Sequence, residues 1–192
     1  MEQVLDPNST NSSNKYDGLV AHAAKNGVIM AAVSIAITVL LYVVDFTLLA
    51  DWKIGILFMI LSIGYVIYAG LQYRKEIGGF LPYGKAFQHA LIFFGVSGLI
   101  ALTFNGILYS FIDPDLSKNL VRITLERTEE MFKGFGMKDY QIEEKIAEME
   151  VDLPKQFSLL GQLKAYLWSW IFYLIVGALT SLATKKNPPE TF

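Results

Sequence analysis

Asp45 is the single charged residue of the apolar stretch 26–50, and the two histidines of the chain, His22 and His89, stand near the starts of two such stretches. If these stretches cross a bilayer, a carboxylate at the centre costs roughly 2.5 to 3.5 kcal/mol on insertion scales. It must then be paired, or be put to work on a proton, an ion or a polar substrate. Depth bears on the choice: Asp45 lies about 18 residues beyond Gly27, or roughly 27 Å along a helix rising about 1.5 Å per residue. That places it close to the far surface. Asn105 lies about as far beyond Lys85, at a comparable depth, so Asp45 and Asn105 form a candidate intramembrane polar site. Lys53 is a second partner for the carboxylate, and Tyr109 or Tyr166 could extend the site.

Other chemistries find less material. Two histidines without a carboxylate pattern beside them fall short of a zinc ligand set, so no metal site is expected. His89 follows Lys85 closely, at the opposite depth from Asp45, which leaves polar placement at a helix start or proton relay as its roles. Cysteine is absent, which removes disulfides, thiolate ligands and thiol nucleophiles together. Gly78-Gly79 reads as a turn rather than a phosphate cradle, since no lysine and serine pair follows it. No nucleophile and base pair can be named, so the chain reads as non-enzymatic and without a cofactor. A net charge of −2 argues against nucleic acid as a partner.

The elements that must position these residues follow from where charge is missing. Of 192 residues 53% are apolar and 18% charged, against about 25% charged in soluble domains. Residues 54–73, 86–112 and 165–184 hold no Asp, Glu, Lys or Arg. About 20 apolar residues cross a hydrocarbon core of roughly 30 Å. The sequence therefore predicts an all-α integral membrane protein with four transmembrane helices, three of them within 27–112 and the fourth over 165–184. Asp51-Trp52-Lys53 is short enough to fold spans one and two into an antiparallel pair. Residues 1–26 read as a polar, disordered tail whose Asn8 and Asn11 sequons arise from composition, and 185–192 as a polar end.

Residues 113–164 are different, with eleven acidic and eight basic side chains. Asp113-Pro114 is a helix-start signature, after which Leu116, Leu120 and Ile123 share a face. Gly134 and Gly136 stop that helix. A second is predicted from near Asp139, with Ile142, Ile146 and Met149 on one stripe, ending before Pro154. The two form an extramembrane amphipathic hairpin between the third and fourth spans. Small residues, among them Gly161, Ala165 and Ser169, and Gly177 and Ser181, recur at helical spacing, where they let membrane helices approach.

Near the span ends Lys25, Arg74, Lys75, Lys85, Lys185 and Lys186 fall on the side of the termini, against Lys53, Lys118 and Lys164 opposite. By the positive-inside rule both termini are cytoplasmic. Trp52, Trp168 and Trp170 gather at the other surface, as an interfacial aromatic belt does.

Further features carry a resemblance. Span one ends Leu40-Leu41-Tyr42-Val43-Val44-Asp45. Gln72-Tyr73-Arg74-Lys75 and a Gly-Gly-Phe segment lead to Gly84-Lys85-Ala86-Phe87. Downstream stand Phe104-Asn105, Phe111-Ile112-Asp113-Pro114, the Gly136-Met137 break and Lys185-Lys186-Asn187-Pro188. In these and in element order the chain resembles the bacterial four-helix membrane proteins grouped as domain of unknown function 4199, over about 14–192. Position 85 is a lysine where other members carry glutamine. The resemblance implies an inner-membrane, multi-pass protein and no assigned activity. The expectation is an interaction or accessory protein using its hairpin, with the bilayer, a second copy or another membrane protein as partner. The alternative is a small transporter or channel component built around Asp45 and Asn105.

Overall fold

The computed structural model describes residues 16–188; the Asn8 and Asn11 sequons and the rest of the tail up to residue 15 lie outside the described residues. All regular elements are helical: α1 (Leu19–Asp45), α2 (Trp52–Glu76), α3 (Tyr83–Ile107), α4 (Pro114–Gly134), α5 (Asp139–Phe157) and α6 (Leu159–Thr184). A 3-10 turn over Phe46–Ala50 follows α1, and a π turn over Leu108–Ile112 follows α3. Four helical stretches, Leu19–Ala50, Trp52–Glu76, Tyr83–Ile112 and Leu159–Thr184, are long and apolar enough to cross a membrane.

α1 starts at Leu19, not at Gly27 as composition suggests. Its first turns already carry a buried stripe of Leu19, Ala23, Asn26, Gly27 and Met30, which is helical spacing. The polar members of that stripe find partners inside the protein, so low hydropathy there does not mean a tail.

The chain divides into two compact units. The first comprises Met1–Ala31, Ile60–Ser97 and Ile171–Phe192. Its core joins Met30 of α1, Val66 of α2, Ala90, Phe93 and Phe94 of α3, and Val176 of α6. Close approach is built in at Gly27, where an added Cβ would stand 2.8 Å from the Phe93 carbonyl oxygen. The end of α2 is closed by two glycines at φ +87. Gly79 N–H donates to the Arg74 carbonyl at 2.8 Å and Gly78 N–H to that of Lys75 at 3.2 Å, the paired bonds of a Schellman stop. Leu81 then exchanges two backbone hydrogen bonds with Lys186, both 2.8 Å. Arg74 Nη1 donates to the Thr184 carbonyl at 3.0 Å, which satisfies one of the acceptors left open at a helix C-terminus. The Lys185 and Lys186 ammonium groups lie over the rings of Tyr83 and Phe80.

The second unit comprises Ala32–Met59 and Gly98–Trp170. Its core gathers Leu108, Leu116 and Leu120, with Tyr42, Phe46, Phe104 and Phe157 packed around them. Asp113 opens α4: its Oδ1 accepts from the Leu116 amide at 3.0 Å, and Pro114 takes the first helical position. Leu116, Leu120 and Ile123 are buried, so the stripe read from spacing does face inward. Gly136, at φ +75, ends the helix, with its N–H on the Lys133 carbonyl and that of Met137 on Phe132. α4 and α5 pack on one another.

α5 does not stop before Pro154 but runs through it to Phe157. Proline removes the amide that would bond the Glu150 carbonyl, a loss the helix carries for its last turn before the stop supplied next. Ser158 has extended backbone angles, and its Oγ accepts from the Gly161 amide at 3.1 Å, capping α6. The corner is tight: a side chain at Gly161 would overlap the Lys155 carbonyl.

Candidate functional site

The two histidines meet. His22 sits in the first turns of α1 and His89 in those of α3, and His22 Nδ1 lies 3.0 Å from His89 Nε2, a hydrogen bond whose direction follows the tautomers. His89 is 1% exposed. The sequence reading left both as isolated polar residues, because it began the first helix at Gly27 and so kept His22 out of it. The signal was present in His22 and Asn26, four apart on the stripe that also carries Ala23, Gly27 and Met30.

Four further side chains complete the cluster. Asn26 Nδ2 donates to the His22 carbonyl at 2.8 Å and also stands 3.3 Å from His22 Nδ1. Tyr65 on α2 donates its hydroxyl to Asn26 Oδ1 at 2.9 Å, which fixes the amide with its N–H groups toward His22. The Tyr73 ring lies against both imidazoles, with centroids 5.0 Å from His22 and 5.6 Å from His89. Its buried hydroxyl has no hydrogen-bond partner among the described residues. Glu76, at the end of α2, brings Oε1 to 3.8 Å from His22 Nε2. The Glu76 side chain is half exposed, that of His22 12%. The cluster therefore runs from a water-accessible carboxylate to an imidazole sealed from water.

Asp45 and Asn105 are placed differently. Asp45 ends α1, is exposed, and its Oδ1 accepts from the Thr47 amide at 2.9 Å as the cap of the 3-10 turn. Asn105 is half-buried on α3, and among the described residues no hydrogen bond joins the two. Nor does Lys53 pair with Asp45. The acidic residue of that turn with a charged partner is Asp51, whose Oδ2 is 3.7 Å from Arg127 Nη1. The nearby polar side-chain bond is that of Tyr42, which donates to Asp113 Oδ2 at 3.0 Å. Among the described residues no three His, Cys, Asp or Glu side chains gather as a metal would need.

An all-helical protein with, among the described residues, four helices of membrane-crossing length and composition is the class these observations define. Over residues 25–186 it matches the family described as protein of unknown function (DUF4199), and it belongs to that family. No curated protein and no solved structure matches it.

Proposed function

We propose that the protein is a multi-pass membrane protein, with no catalytic role, that uses α4 and α5 as an extramembrane hairpin to bind another membrane protein. The exposed apolar side chains of the long helices, such as Leu40, Val43, Ile60, Ile175 and Leu179, support lipid as their surroundings, since soluble monomers rarely expose contiguous apolar patches of such extent. The charge count at the span ends supports cytoplasmic termini and an inner-membrane location.

The observation that carries the interaction reading is the outer face of the hairpin. Phe135 and Tyr140, which flank the α4–α5 turn, are 76% and 62% exposed. Along α5, Glu143, Glu144 and Glu150 are exposed and, among the described residues, form no ion pair. Exposed aromatics beside unneutralised carboxylates fit a basic protein segment, because aromatic anchors supply contact area while the charges steer encounter. A transport site around Asp45 and Asn105 has less support, as Asp45 caps the 3-10 turn through the Thr47 amide and, among the described residues, no hydrogen bond joins it to Asn105.

Photo-crosslinking residues placed at 135 and 140 in native membranes test the reading. The expected result is one shared protein adduct from both positions, lost when Glu143, Glu144 and Glu150 are changed to Gln. Adducts to lipid alone, or none, would overturn it, and an adduct at twice the chain mass would assign the partner to a second copy. Reporter fusions near Trp52 and within 115–153 test sidedness.

A further inference from the structure

We propose that His22 and His89 together bind a single proton, which enters from water through Glu76 and is passed between the two imidazoles. Three observations support this. The ring nitrogens face one another at 3.0 Å, which requires one hydrogen between them and leaves no room for two. The other nitrogen of His22, Nε2, turns toward the Glu76 carboxylate at 3.8 Å, and Glu76 reaches water. The inner imidazole is sealed, with Tyr73 stacked against it at an interplanar angle of 22°.

The charged groups that bear on His22 are Glu76, from α2, and Lys25, from its own helix; His22 is the titratable group that bears on His89 from α1. Tyr65 and Tyr73 are further titratable side chains of the cluster, and Tyr16 and Asp17 bear on Tyr73 from the residues before α1. Asn26 and Tyr65 are positioning residues. The Asn26 amide, held by Tyr65, bonds the His22 backbone carbonyl and stands 3.3 and 3.5 Å from the two nitrogens of the His22 ring, against whose face it packs, while His89 and Glu76 take the nitrogens at its edge.

The transfer balances without another reactant. A hydronium ion gives its proton to the Glu76 carboxylate, whose half-exposed side chain swings in from 3.8 Å to hydrogen-bond distance, hands the proton to His22 Nε2 and returns to its charged form. The hydrogen on His22 Nδ1 moves across to His89 Nε2. His22 is then neutral, with its proton on Nε2, and His89 carries the positive charge; the reverse order releases the proton. Both tautomers of His22 fit the surrounding bonds, because Asn26 has its carbonyl partner in either state and needs no rearrangement.

The chain holds only two histidines, so labelling histidine with 15N reports on this pair alone. The full chain in lipid nanodiscs is titrated through and well below the ordinary histidine range while imidazole 15N shifts are recorded. The expected result is a nitrogen–nitrogen coupling between the two rings and uptake of one proton per chain, seen by both rings with the same midpoint. Uptake of two protons at separate midpoints, or of none, overturns the proposal on the unaltered protein. Two variants test its parts. His89→Gln should change the His22 midpoint, and an unchanged midpoint would break the pairing. Glu76→Gln should keep the stoichiometry and slow proton exchange at His22 severalfold; an unchanged rate would remove Glu76 as the way in.

Discussion

A methyl group added at Gly70 of α2 would come within 2.8 Å of the Thr184 side-chain methyl on α6. The two helices meet there with a glycine on one and a buried, β-branched residue on the other. Lipid supplies no hydrophobic force between helices, so this backbone approach is itself part of what holds them together.

Gly70→Ala should therefore lower stability by about 1 to 3 kcal/mol, the usual cost of overpacking. Thr184→Ser deletes the opposing methyl and keeps the hydroxyl that bonds back to the Thr180 carbonyl. The double variant should recover most of the loss. Thermal unfolding of the detergent-solubilised proteins measures this coupling, and strictly additive effects would show that the contact carries none of it.

Asp113 serves two partners, the Leu116 amide and the Tyr42 hydroxyl. Asp113→Ala should cost about 0.5 to 2 kcal/mol through loss of the helix cap alone. Tyr42→Phe should cost less, and combining the two should cost less than the sum. Hydrogen exchange at the amides of Asp115 and Leu116 should rise in Asp113→Ala and stay near its original rate in Tyr42→Phe.

Gly161 follows the Ser158 corner, where an added Cβ would run into the Lys155 carbonyl and the Gln156 backbone. Backbone atoms cannot swing aside as a side-chain tip can. Gly161→Ala should thus be more damaging than Gly55→Ala or Gly64→Ala, positions with open space around them. Comparison of the three unfolding midpoints decides it; equal midpoints would contradict the packing.

The Lys118 ammonium hydrogen-bonds Asp115 at 2.8 Å and attracts it, holding the Asp115 carboxyl below its usual range. A carboxyl group with a lowered folded-state pKa stabilises the fold above its unfolded pKa, and that contribution is lost as pH falls through the folded value. Acid should loosen the first turn of α4 accordingly. Lys118→Ala should move the Asp115 midpoint back up toward the ordinary carboxylate range, as read by carboxyl 13C shifts. Both groups are exposed, so salt should shrink the effect.

Much of this architecture was legible because charge is nearly absent from the middles of the long helices, which leaves three uncharged runs, and a fourth interrupted by Asp45, in plain view. The start of α4 was equally legible, since Asp113-Pro114 encodes a cap and a first helical residue within two positions. Pro154 misled because a proline weakens a helix without always ending it, and Ser158 supplies the actual stop. The meeting of His22 and His89 was not readable from either residue alone. It depends on α1 starting at Leu19, and polar residues that look like tail when counted by composition are interior when counted by helical period.

The paired backbones of Leu81 and Lys186 also constrain how the protein is made. The first unit is stitched from three separated stretches, the last beginning at Ile171. A ribosome delivers that stretch after the other two, with residues 98–170 in between. Until then Phe93 and Phe94 lack Tyr173 and Val176, the residues that complete their packing.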